Sequence, residues 1–109
     1  MARTGFAFTG AQADADVIAA PAAGLHLEIL RFHFTTSAAA TIAFTDGADA
    51  TATRLIYGDF GANGGVVMDS FSLGTGHLYP VAVLTGATAF KVTSSAGNLK
   101  GVVEYRVCS

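Results

Sequence analysis

Between residues 25 and 35 large apolar side chains alternate with polar ones, and the phase of that alternation slips once. Leu25, Leu27 and Ile29 share one face, with His26 and Glu28 opposite; from there on Leu30, Phe32 and Phe34 carry the apolar face against Arg31 and His33. A period of two belongs to a strand buried on one side, because successive Cβ atoms of an extended chain point in opposite directions. A helix would need apolar residues three and four apart. The slip at Ile29-Leu30 predicts a β-bulge or a change of strand partner, since a regular strand would turn one of the two apolar sets away from the core.

The same period recurs over residues 40–45, where Ile42 and Phe44 point inward and Thr41, Ala43 and Thr45 outward, and Asp46-Gly47 ends the run with a turn signal. Further strands are predicted over 54–60, 66–71, 78–84, 89–93 and 102–108, each bounded by Gly, Asn or Ser, with shorter ones over 5–9 and 17–20. In the last long strand Val103, Tyr105 and Val107 alternate with Val102, Glu104 and Arg106, which places Glu104 and Arg106 on one face. The Ala-rich stretches 11–23 and 48–52 read as loop or short edge strand, because Pro21, the glycines and the lack of an apolar stripe argue against helix. Eight or nine short strands in 109 residues predict an all-β, single-domain antiparallel β-sandwich or jelly roll. Residues 1–16 are expected as an extended N-terminal arm and 17–109 as the sandwich domain. Phe6 and Phe8 lie on one face of a short strand cut off by Gly10, so they need an apolar receptor, and a neighbouring subunit is expected to supply it.

Charge narrows the function classes. Only 13% of the residues are charged, against about 25% in an average soluble domain, and no apolar run approaches the roughly 18 to 20 residues of a membrane-crossing helix. Six Lys and Arg against eight Asp and Glu give a net charge of −2 without clusters of either sign, so neither direct nucleic-acid binding nor a membrane partner is expected. Cys108 is the single cysteine, which excludes an internal disulfide and suits folding in a reducing cytoplasm. The residues after Met1 include no apolar stretch behind Arg3, so no export signal is expected, and neither Asn63 nor Asn98 heads a glycosylation sequon.

No catalytic set passes a spacing test, and the reading is of a protein that is not an enzyme. Ser70-Phe71-Ser72-Leu73-Gly74 lacks the leading glycine of a nucleophile elbow, and the glycines at 58, 61, 64, 65, 74 and 76 lack the Lys-Ser/Thr of a phosphate loop. Asp14 with Asp16, and Asp46 with Asp49, are carboxylate pairs without further oxygen ligands at calcium-loop spacing. His26 and His33 share a strand while His77 stands in a distant loop, so no zinc set is read from the spacing. No metal and no cofactor are assigned. Tyr57 and Tyr79 would suit a sugar-stacking platform, but tyrosines within predicted strands are read as core.

Three stretches of the C-terminal half carry a resemblance: Gly64-Gly65-Val66-Val67-Met68-Asp69; Leu84-Thr85-Gly86-Ala87-Thr88-Ala89-Phe90-Lys91-Val92-Thr93; and the turn Ser94-Ser95-Ala96-Gly97-Asn98 leading into Leu99-Lys100-Gly101-Val102-Val103-Glu104-Tyr105. This pattern resembles small β-sandwich virion structural proteins of tailed bacteriophages, of the head decoration or capsid cement type. The resemblance implies a non-catalytic virion protein, made in the bacterial host cytoplasm, that stabilises the capsid by binding the head exterior as a homo-oligomer. A trimer is favoured because such proteins often sit on threefold axes, and the implied partner is the major capsid protein or another virion protein. The alternative is a receptor- or glycan-binding module of a phage tail or fibre. Independently of the resemblance, outward faces built from Ala and Thr, where a monomer would carry Lys and Glu, predict close packing between chains. The interface residues expected are Phe6, Phe8, Thr41, Ala43 and Thr45.

Overall fold

The computed structural model describes residues 2–69 and 80–109. Among these residues nine strands form: β1 (Ala2–Phe8), β2 (Gln12–Ile18), β3 (His26–Thr36), β4 (Ala40–Asp46), β5 (Arg54–Phe60), β6 (Gly65–Met68), β7 (Ala82–Val83), β8 (Phe90–Ser94) and β9 (Leu99–Cys108). They make two antiparallel sheets, β1-β9-β3-β6 with the short β7 also on β3, and β2-β8-β4-β5. The pairings nest: β4 with β5, β3 with β6, β2 with β8 and β1 with β9. A long hairpin folded over on itself in this way is a jelly roll. The all-β antiparallel sandwich expected from the alternation is therefore the fold.

The slip in β3 takes both forms that the sequence allowed. Ile29 pairs with Tyr105 and Arg31 with Glu104, which leaves Leu30 as the extra residue of a bulge. On its other edge β3 pairs with β7 through Glu28 and Ile29, then with β6 from Phe32 onward. Leu27, Ile29, Leu30, Phe32 and Phe34 are consequently all buried, and Arg31 and His33 stay exposed.

Aromatic rings join the two sheets. Phe32 and Phe34 of β3 meet Phe44 of β4 at centroid distances of 4.6 and 4.8 Å, and Phe90 of β8 lies 5.6 Å from Phe32. Phe6 extends this cluster, 6.1 Å from both Phe32 and Phe44. Residues 1–16, read from sequence as an arm, thus supply β1 and most of β2 as edge strands, and the apolar receptor of Phe6 and Phe8 is the core of their own chain. Gly101 makes room for this. It pairs with Phe6, and a Cβ at that position would fall 2.6 Å from the Phe6 ring. The true extent of β2 was hidden because its register shifts twice, between Gln12 and Ala15 and between Asp16 and Ile18, with Asp14 at a φ of 50° in the first break. Two irregularities in seven residues erase a period-two signal.

Candidate functional site

The register of the first sheet lays its outward residues in rows. Arg3 of β1 faces Glu104 of β9, which faces Arg31 of β3, and Asp69 follows at the end of β6. Oppositely charged groups sit 4.0, 3.9 and 3.4 Å apart along this row, a ladder of alternating sign across four strands. One row further along, Arg106 Nε donates to Glu28 Oε1 at 2.7 Å. Glu104 and Arg106 do share the outward face, and each holds a cross-strand partner.

Beyond Arg106 lies a group with a different chemistry. His26 and Glu28 are two apart on β3, and their ring nitrogen Nε2 and carboxylate Oε2 are 2.9 Å from each other. The β3–β9 register sets Cys108 directly opposite His26. The imidazole nitrogen, carboxylate oxygen and Sγ all lie within 4.8 Å of one another, and all three residues are half-buried. The hydrogen bond from His26, reinforced by Arg106, holds the Glu28 carboxyl below the usual carboxylate range, against the opposite pull of its burial. Sequence reasoning missed this group. The i, i+2 spacing of His26 and Glu28 was visible, but Cys108 joins them only through a register between strands far apart in the chain.

The outer face of the second sheet is built from aspartates and hydroxyls. Thr41 donates to Asp59 Oδ1 at 2.6 Å and the backbone N–H of Asp49 donates to Asp14 Oδ1 at 2.8 Å, while on the core-facing row at the end of β4 the Thr85 hydroxyl donates to Asp46 Oδ2 at 2.7 Å. Tyr57 is exposed on this face, at 56% of its surface, with the Arg54 guanidinium 3.9 Å above its ring. It is therefore not the core residue that the alternation suggested. Beside it a shallow groove of about 210 Å³ is lined by Thr41, Asp49, Arg54, Thr93 and Ser95, among others. Tyr79 lies outside the described residues, as do His77 and the serines and glycines of the 70–76 segment.

The five residues expected at an interface separate into two groups. Phe6 and Phe8 turn half-buried into the core. Thr41, Ala43 and Thr45 do point outward, yet Ala43 is 3% exposed and Thr45 0%, so a partner has no access to these two. The reason is their place on a central strand. Ala43 pairs with Tyr57 and Thr45 with Arg54, and the long side chains of the edge strand overhang the small ones of its neighbour. The feature that alternation alone could not show is the unequal guarding of the sheet edges. β2 is broken twice and carries Asp14 and Asp16, β5 is irregular at Leu55, and β6 is four residues long. β1 pairs without interruption from Ala2 to Phe8, and Arg3 is its only charged residue. A regular, almost uncharged edge is the kind that accepts another strand.

In comparisons with known proteins, no family model, no curated protein sequence and no solved structure matches the chain.

Proposed function

We propose that this chain is a non-catalytic structural protein of a tailed-bacteriophage virion, a jelly roll that binds the head exterior as a homo-oligomer, favoured as a trimer. The observation that carries the reading is the β1 edge, which among the described residues is left unguarded while the other edges are closed by bulges, charges or short strands. Jelly rolls serve widely as capsid domains and as lectins, and the fold suits the reading. The resemblance in the C-terminal half and the sparse surface charge point the same way. In this reading copies associate along β1, and the major capsid protein receives the assembled unit. Adding purified protein to phage heads that lack it, followed by electron cryomicroscopy, tests the proposal. New density of this size on the capsid lattice is the expected result; bare heads, or density only at the tail tip, would overturn it.

One observation favours the receptor- or glycan-binding alternative: Tyr57 is exposed beside the hydroxyl- and aspartate-lined groove. Sugar rings stack on such aromatic faces while polar neighbours bind their hydroxyls. In that reading a glycan array gives hits with the wild-type protein that are lost in Tyr57→Ala.

A further inference from the structure

We propose that His26, Glu28 and Cys108 form a Zn²⁺ site of three protein ligands, open at the fourth position to water or an added ligand. The site rests on the β3–β9 register alone and does not depend on the virion reading. Three different donor types converge there, an imidazole nitrogen, a carboxylate oxygen and a thiol sulfur, with His26 and Cys108 paired across adjacent strands and Glu28 on the same face. Zinc takes this N/O/S mixture readily, and sites with three protein ligands and an open fourth position are a familiar arrangement. Tetrahedral bonds of about 2.0 to 2.3 Å set the donors roughly 3.3 to 3.8 Å apart. The present separations, 2.9 Å between His26 and Glu28 and up to 4.8 Å within the trio, bracket that range.

Glu28 is already divided in the manner a metal ligand requires. Arg106 holds Oε1 at 2.7 Å, while Oε2 faces His26 at 2.9 Å. The cation takes the place of the proton between Nε2 and Oε2, leaving a neutral imidazole that carries its one proton on Nδ1, and displaces the thiol proton to solvent; no oxidation state changes. The carboxylate and the thiolate neutralise the two charges of the ion, and Arg106 becomes the outer partner that fixes the carboxylate's orientation. Half-burial of all three ligands limits competing solvent yet leaves the fourth position accessible.

Cobalt titration of the untagged, reduced, full-length chain near neutral pH tests the assignment, because Co²⁺ substitutes for Zn²⁺ and reports a bound thiolate by a charge-transfer band. The expected result is saturation at one Co²⁺ per chain, with that band present and abolished by added Zn²⁺. Cys108→Ser should remove the band, and both it and His26→Ala should weaken binding by at least about tenfold, the size of even an outer-partner loss. His33→Ala, on the same strand and face, should leave binding unchanged. Absence of saturable binding in the wild-type chain, a band that persists in Cys108→Ser, or an equal loss in His33→Ala would each overturn the site.

Discussion

The two sheets handle a shortage of charge differently. Arg3, Arg31, Lys100 and Arg106 on the β1-β9-β3-β6 side stand with Glu28, Glu104 and Asp69, a balance of one positive charge. On the β2-β8-β4-β5 side, Arg54 and Lys91 stand with Asp14, Asp16, Asp46, Asp49 and Asp59, a balance of three negative charges, which completes the net −2. Both glutamates are on the first side and every aspartate but Asp69 is on the second. Glutamate and arginine reach across the gap between strands and form the lateral ladder. Aspartate is short and bonds to backbone N–H groups and hydroxyls close by, as Asp14 does with Asp49 and Asp46 with Thr85. The first sheet is thus tied by a lateral row of ion pairs, whereas the second combines cross-strand pairs, Lys91 with Asp16 at 2.7 Å and Thr41 with Asp59 at 2.6 Å, with bonds from aspartate to loop groups.

Substitutions sharpen this contrast, beginning with one that should ignore it. Phe44 is fully buried and its ring touches those of both sheets, so Phe44→Ala should cost about 3 to 5 kcal/mol in chemical denaturation. Because that core is shared, the transition should remain single by both circular dichroism and fluorescence; two separated transitions would mean that the sheets unfold independently. Next in size is the loop anchor. Asp46 Oδ2 accepts from both the backbone N–H and the hydroxyl of Thr85, at 3.0 and 2.7 Å, and Asp46→Ala should cost about 1.5 kcal/mol or more. The ladder should matter less. Arg31 is more than half exposed and its ion pairs are 3.4 and 3.9 Å long, so Arg31→Ala should cost less than about 1 kcal/mol. If Arg31→Ala proves costlier than Asp46→Ala, the contrast between ladder and loop anchor is reversed. The smallest effect is that of salt: the difference between wild type and Arg31→Ala should shrink further in about 1 M NaCl, where the screening length is about 3 Å.

Much of the fold could be read from residue order, and the parts that could not share a cause. The alternation in β3 and β4 gave the facing of Phe32, Phe34, Ile42 and Phe44, and the slip at Ile29-Leu30 marked the bulge, because a buried face records its own phase. Irregular β2 left no such record. Neither did Tyr57, whose outward position follows from pairing with Ala43 rather than from its own neighbours in sequence. The burial of Thr45 and the meeting of Cys108 with His26 are likewise properties of register between strands, which a single strand's pattern does not contain.

The proposed association through β1 can be set against a variant designed to block it. Gly5 and Ala7 project outward on that edge, and a Cβ at Gly5 meets nothing closer than 3.8 Å, so Gly5→Lys with Ala7→Lys should guard the edge while leaving the fold intact. Sedimentation equilibrium of the wild-type chain at micromolar concentration, in low salt and in about 1 M NaCl, is the most direct measurement. The account predicts a homo-oligomer, with a trimer favoured, that persists in both and becomes monomeric in the double lysine variant. A wild-type chain that is monomeric in both salts would contradict it.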